Sequence, residues 1–294
     1  KTVEHFKDRV RTWEFLNEPL FTSYALPEGK GYKMKDYVGL LRVAREAVKK
    51  ADPGAILIGG VAGDPDNRTE DFVLAGGLDL VDKLNLHIYP GLRKPESFIP
   101  EMEKLNALMD AHGGRKPIWL TEYSYYGVDQ KPWLPFVSAA GSWAGERLLA
   151  DEQECAEYSV RFAVIMLAHG VQKIFYHSGS NAAVNEEPLE SCLLGREGLP
   201  RKTYAAQAVL ARMLGEDPTL VKRFSGGVMG YRFSCGKGLL NIYWKDPASV
   251  NPLMRLRNDE GNAYDMMGNP LAGPLLELGS APIYTLGNQE FRTD

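Results

Sequence analysis

Between residues 10 and 215 the chain alternates short apolar runs with longer amphipathic stretches, and this alternation restricts the fold more than any other feature. The runs, at 10–16, 55–61, 80–88, 117–122 and 171–176, have strand length and are rich in β-branched and aromatic residues. Helical periods lie between them. Residues 36–50 place Tyr37, Leu40, Leu41, Ala44 and Val48 on one face, and 98–112 do the same with Met102, Leu105, Leu108 and Met109. Residues 152–169 are apolar on most sides, and 202–214 form a further helix. Asp52-Pro53-Gly54 and His112-Gly113-Gly114 are helix stops, and Asp151 is placed to cap the helix that follows it. Strands that alternate with helices imply parallel strands joined by crossovers. Runs that are apolar throughout imply strands buried on both faces.

The pattern changes near Glu216-Asp217-Pro218. Short strand candidates then follow at 223–225, 228–235, 238–244, 253–256, 263–267, 274–278 and 281–286, separated by turn residues such as Gly226-Gly227 and Gly268-Asn269-Pro270. That spacing predicts a small antiparallel β-sandwich over 217–294, beside an α/β domain over 1–216.

Composition excludes several functions. The 294 residues carry a net charge of -4 with no basic stripe, so nucleic acid is not an expected partner. No stretch approaches the ~20 apolar residues that span a bilayer. Cys155, Cys192 and Cys235 are odd in number and far apart, which argues against a zinc site or a disulfide framework and leaves at most one bridge. Gly63-Asp64-Pro65-Asp66-Asn67 lacks the ligand spacing of a calcium loop and reads as a turn. The run Glu152, Glu154, Glu157 reads as a solvated helix face. No metal or cofactor is expected.

Two segments carry chemistry. In Trp13-Glu14-Phe15-Leu16-Asn17-Glu18-Pro19 an apolar strand runs into Asn-Glu and Pro19 ends it. In Pro117-Ile118-Trp119-Leu120-Thr121-Glu122-Tyr123 a second strand ends in a carboxylate. The C-terminal ends of parallel strands line the active sites of α/β folds. Two glutamates there can flank one glycosidic bond, one protonating the leaving oxygen while the other attacks the anomeric carbon. Such a pair works only with one carboxyl protonated and the other ionised. Glu14, four residues before Glu18, reads as a solvent or loop partner.

These motifs resemble those of clan A glycoside hydrolases, (β/α)8 barrels with glutamates on strands four and seven. The two strands between the glutamates fit that order, and His87-Ile88-Tyr89-Pro90 resembles the His-x-Tyr of strand six. The β-rich tail, with Asp265-Met266-Met267-Gly268-Asn269, resembles the accessory sandwich of family 39 and related barrels. The resemblance implies a retaining glycoside hydrolase in which Glu18 is the acid/base and Glu122 the nucleophile. It further implies that Asn17 bonds the sugar 2-hydroxyl, Tyr89 supports the nucleophile and His87 lines the site. Many clan members end strand eight in a Trp platform; here Tyr176 and His177 stand there, and Trp133 or Trp143 is the expected substitute. The implied partner is a glycoside, oligosaccharide or polysaccharide. A non-catalytic carbohydrate-binding barrel and a transglycosylase are the alternatives.

By this count residues 10–215 supply strands four to eight of a TIM barrel. Strands one to three have no counterpart, and we expect them as another piece, either supplied by a separate chain or absent from this sequence. A half-barrel that dimerises is the alternative. Substrate class alone points to an extracellular or periplasmic location.

Overall fold

The computed structural model describes residues 1–127, 148–177, 193–194, 199–251, 253–258 and 261–288. In chain order its first elements are α1 (Thr2–Phe6), β1 (Thr12–Glu14), α2 (Met34–Ala51), β2 (Ile56–Gly59), α3 (Asn67–Leu74), β3 (Lys83–Ile88), α4 (Ile99–Ala111) and β4 (Ile118–Tyr123). Next come β5 (Tyr126–Gly127), β6 (Leu148–Leu149), α5 (Glu152–Ala168), β7 (Val171–Tyr176) and α6 (Lys202–Leu214). The tail holds β8 (Thr219–Phe224), β9 (Val228–Cys235), β10 (Gly238–Lys245), β11 (Met254–Arg257), β12 (Ala263–Tyr264), β13 (Leu275–Leu278) and β14 (Ile283–Leu286). The chain divides into two compact units. The first joins Lys1–Tyr89, Ser97–Tyr123 and His169–Tyr176; the second joins Pro90–Glu96, Ser124–Ala168 and His177–Asp294.

The first unit is built on a half-barrel sheet of five parallel strands in the order β1-β2-β3-β4-β7. Sheet order follows chain order, as expected when each strand returns to its neighbour through a helix. β3 lies at the centre and is covered on both faces: Leu84, Leu86 and Ile88 have no exposed surface, nor does Asn85 between them. Each such aliphatic side chain contributes roughly 1.5–3 kcal/mol by leaving water. β7 departs from the expectation of a strand buried on both sides. Gln172, Lys173 and Phe175 are exposed; among the described residues β7 is an edge strand with a neighbour on one side only.

The helices dock along the stripes read from the sequence, with changes in both. Tyr37, Val38 and Leu41 of α2 are buried, while Leu40 is exposed. In α4 the buried set is Met102, Leu105, Asn106 and Met109, and Asn106 earns its place by donating to the His169 carbonyl at 2.9 Å. Asp82 ties α2 to the sheet, accepting from Leu57 N–H and Lys49 Nζ at 2.8 Å each, with Arg45 at 3.5 Å. The expected turn at 63–67 leads directly into α3. There the Asp64 carbonyl accepts from Asp66 N–H and from the Thr69 hydroxyl.

In the second unit α5 packs against α6. α5 is buried along nearly its whole length, and Glu154 N–H donates to Asp151 Oδ1 at 2.8 Å, the cap expected from sequence. Glu157 is buried, so the acidic run of this helix is not a solvated face. Arg161 is buried too. Its guanidinium grips Glu96 with two bonds of 2.8 and 2.6 Å, and Trp244 Nε1 donates to the same carboxylate at 2.9 Å. The tail forms one antiparallel sheet, ordered β12-β14-β10-β9-β8, and a two-stranded sheet of β11 and β13. Val228, Tyr243 and Ile283 of the larger sheet and Met254, Leu256, Leu276 and Leu278 of the smaller share one apolar cluster. Burial alternates along β11 and β13: Met254, Leu256, Leu276 and Leu278 point in, while Arg255, Arg257, Leu275 and Glu277 point out, as a two-layer packing requires. Cys155 and Cys235 are free thiols, and Cys192 lies outside the described residues. Among the described residues no helix is long and apolar enough to cross a membrane.

Candidate active site

After Glu14 the chain leaves β1 through an unusual turn. Leu16, Glu18 and Leu20 all have positive φ, of 61°, 42° and 79°. Left-handed backbone costs a non-glycine residue roughly 1–3 kcal/mol, and persists where the surroundings overdetermine it. Here the Thr22 hydroxyl donates to the Glu18 carbonyl at 2.7 Å, Glu28 N–H donates to the Leu20 carbonyl at 2.8 Å, and Pro19 and Leu20 are buried. The strain falls on the residue that presents the carboxyl group.

β3 supplies the next groups by simple alternation. Leu84, Leu86 and Ile88 face one way, Asn85 and His87 the other. β4 does not alternate simply. Leu120 pairs with Leu86 but Glu122 with His87; on the other side Leu120 pairs with Ile174 and Tyr123 with Tyr176. Both neighbours therefore count one extra residue on β4 between Leu120 and Tyr123, a β-bulge. Such a bulge re-aims side chains. Thr121 and Glu122 both reach His87, and Tyr123 turns to the opposite, fully buried side.

Seven side chains meet there. His87 Nδ1 stands 2.9 Å from Glu18 Oε1 and 3.5 Å from Glu122 Oε2, and its Nε2 is 3.1 Å from Thr121 Oγ1. The facing atoms of Glu18, His87 and Glu122 all lie within 4.8 Å of one another. Tyr89 donates its hydroxyl to Glu122. Thr121 donates to Glu14 Oε1 at 2.8 Å, and Asn85 Nδ2 donates to that same oxygen at 2.5 Å. The His87 side chain is 4% exposed, against 15% for Glu18 and 24% for Glu122. The ring is thus a buried floor, and the two carboxyl groups stand above it within reach of solvent. A divalent ion would also need donor atoms at this spacing, yet Glu18 is already bonded to His87, His87 to Thr121 and Glu122 to Tyr89.

The floor is fixed from beneath. Ala62 N–H donates to Asn85 Oδ1 at 3.3 Å, which turns the amide so that its Nδ2 faces Glu14. Gly60 has φ of 149°, and a Cβ there would sit 2.4 Å from Asn85 Oδ1, so only glycine fits. Tyr37 donates to the Gly60 carbonyl at 2.6 Å. Burial pushes the Tyr37 phenol well above its ordinary range; the bond to Gly60 offsets part of this and the Glu14 charge adds to it. The phenol stays a neutral donor.

Of the residues singled out from sequence, Glu18, His87, Tyr89 and Glu122 come together. Asn17 is exposed, one residue before Glu18. Tyr176 lies beside Tyr123, ring centroids 5.1 Å apart, on the face opposite Glu122. Phe175 is the strand-end ring that shares a face with Trp119, at 5.6 Å. His177 is exposed and belongs to the second unit, where its carbonyl accepts from Ser124 Oγ at 2.7 Å. Trp133 and Trp143 lie outside the described residues. Asn85 and Thr121 were not singled out, and Glu14 read as a solvent or loop partner. The period-two rhythm of Leu84-Asn85-Leu86-His87-Ile88, two polar residues alternating with aliphatics, was the signal for Asn85.

No protein-family model matches the sequence, and no curated protein does. Solved structures do match. A family 39 glycoside hydrolase from the gut symbiont Bacteroides cellulosilyticus superposes with a TM-score of 0.68 at 20% identity, over 98% of this chain and 60% of that one. A family 39 β-xylosidase from Caulobacter crescentus gives 0.55 at 16% identity, over 96% and 69%. A family 51 arabinofuranosidase from Xanthomonas axonopodis gives 0.53 at 13%, over 86% and 62%. This chain thus spans 60% of the length of the first of these proteins. Families 39 and 51 both belong to the clan that the motifs resemble, and over its own length this chain shares the fold of clan A glycoside hydrolases.

Proposed function

We propose that the chain carries the catalytic pair of a retaining glycoside hydrolase, with Glu122 as nucleophile and Glu18 as acid/base. The observation that carries this reading is the short gap between two carboxyl groups, one in the turn that follows β1 and one near the end of β4, with facing oxygens within 4.8 Å. Retaining enzymes hold their carboxyl groups about 5–5.5 Å apart, whereas inverting enzymes need about 6.5–9.5 Å to admit a water. In the first step Glu122 attacks the anomeric carbon as the glycosidic bond breaks, and Glu18 gives its proton to the departing oxygen. In the second, Glu18 takes a proton from water as the water oxygen replaces Glu122 on the same carbon. Tyr89 orients the nucleophile by donating its hydroxyl to the Glu122 carboxyl group. His87 orients both carboxyl groups from below. Asn17, exposed beside Glu18, is assigned to a sugar hydroxyl.

The substrate is a glycoside or a larger carbohydrate. Residues 1–216 are assigned to the catalytic barrel and 217–294 to an accessory sandwich. A screen of aryl glycosides and polysaccharides with the parent protein, Glu18→Ala and Glu122→Ala tests the reading. Hydrolysis by the parent that is lost in Glu122→Ala supports it. Full hydrolysis by Glu122→Ala contradicts it.

A further inference from the structure

The hydrogen bonds around His87 decide where its protons sit. Thr121 has one hydroxyl hydrogen, and it is given to Glu14 Oε1. That oxygen is an acceptor already taking the Asn85 amide, so it returns nothing. Thr121 Oγ1 therefore meets His87 Nε2 as an acceptor, and Nε2 must carry a hydrogen. A neutral imidazole protonated at Nε2 presents a bare lone pair at Nδ1. That lone pair would point at Glu18 Oε1 from 2.9 Å, with Glu122 Oε2 at 3.5 Å. Two lone pairs at hydrogen-bond distance repel unless a proton lies between them. Among the described residues the ionisable groups facing this ring are Glu18 and Glu122 directly, Tyr89 through Glu122, and Glu14 through Thr121.

We propose that Glu14 and Thr121 are positioning residues that pin a hydrogen on His87 Nε2 and thereby keep one further proton shared between His87 Nδ1 and Glu18. The inference rests on the reading of Glu18 as the acid/base. It gives that residue a supply for its first task and a driving force for its second. When the shared proton leaves with the departing oxygen, Nδ1 and the Glu18 carboxylate face each other unscreened. Taking a proton from the incoming water restores the starting arrangement, so the cycle balances. Without the pin, the ring hydrogen moves to Nδ1 and donates to an ionised Glu18, and the pair surrenders its shared proton more easily.

Thr121→Val removes the acceptor without changing side-chain size, Thr121→Ser restores it, and Glu14→Ala frees the threonine hydroxyl to donate to Nε2. Nitrogen NMR on protein labelled at its five histidines reads the ring hydrogens directly. The pH profile of kcat/KM reads the consequence. The parent should show His87 with hydrogen on Nε2. Thr121→Val and Glu14→Ala should move the high-pH limb of the profile down by about one pH unit, since a misplaced buried hydrogen bond is worth about that much. Thr121→Ser should return the parent profile. A neutral His87 in the parent with hydrogen on Nδ1 alone overturns the inference, whatever the variants' stability. So does an unmoved limb in both Thr121→Val and Glu14→Ala. If Glu122→Ala is inactive in those same assays, the glycosidase reading survives such a result; if Glu122→Ala is active, that reading is what has failed.

Discussion

Replacing Glu18 by alanine separates an acid/base from a residue that merely shapes the cleft. The carboxyl group lies 2.9 Å from His87 Nδ1 and its side chain is 15% exposed, so alanine leaves a solvent-accessible gap above an intact ring. A positioned general acid contributes about 10²–10⁴ in rate, or roughly 3–5 kcal/mol. That contribution is needed only when the leaving oxygen is basic. For a substrate with an alkyl or sugar leaving group, Glu18→Ala should lower kcat/KM by about 10²–10⁴. For a dinitrophenyl glycoside, whose leaving group departs as a stable anion, kcat/KM should change by less than about tenfold. Hydrolysis of the glycosyl-enzyme then becomes the slow step, because no base activates water. Stopped-flow should show a burst of dinitrophenol, and azide, which needs no base, should restore turnover and yield a glycosyl azide of unchanged anomeric configuration. Equal losses on both substrates, or no loss on the sugar leaving group, would refute the assignment.

Further outcomes follow from particular contacts. Burial works to raise the Asp82 carboxyl, but Leu57 N–H and the Lys49 and Arg45 charges outweigh it and hold the group below the usual carboxylate range. A depressed folded value stabilises above the unfolded value of about 3.9 and is lost as pH falls through the folded one, so Asp82→Asn should cost about 1–2 kcal/mol in urea unfolding at pH 7 and nothing in strong acid. A penalty that persists in acid would refute the ion-pair account. Glu96→Ala strands the Arg161 guanidinium, whose side chain is 3% exposed, and should destabilise by about 3–5 kcal/mol; a loss below about 1 kcal/mol would contradict it. β1 and β7 are open edges of the parallel sheet among the described residues, and open edges recruit further strands. Sedimentation of the purified chain should show association, and a cooperatively folding monomer would contradict this.

How far the sequence could be read depended on the kind of signal. The five parallel strands and their helices were visible because burial imposes period and composition on them, and His87 and Glu122 end such strands. The bulge in β4 was not visible. It inserts one residue without changing composition, and it brings Thr121 and Glu122 together at His87 while sending Tyr123 the other way. Tyr176 follows Tyr123 to that side because register, not residue type, sets its direction. Glu14 read as a solvent or loop partner because one acidic residue in a short strand is ambiguous until its donors are located. Asn85 and Thr121, which give it meaning, come from β3 and β4, more than 70 residues away in sequence. Acidic residues of α5 misled for a related reason: Glu157 is buried beside Gln153, which donates to it.

The central claim is that Glu122 becomes covalently attached to sugar. Incubation with a 2-deoxy-2-fluoro glycoside bearing an activated leaving group, followed by proteolysis and mass spectrometry, tests it directly. Slowing both steps while the good leaving group spares the first should trap one fluorosugar on the peptide that contains Glu122, and Glu122→Ala should gain none. A substrate that is hydrolysed with no sugar mass on any carboxylate, or with the mass on a residue other than Glu122, would contradict the account.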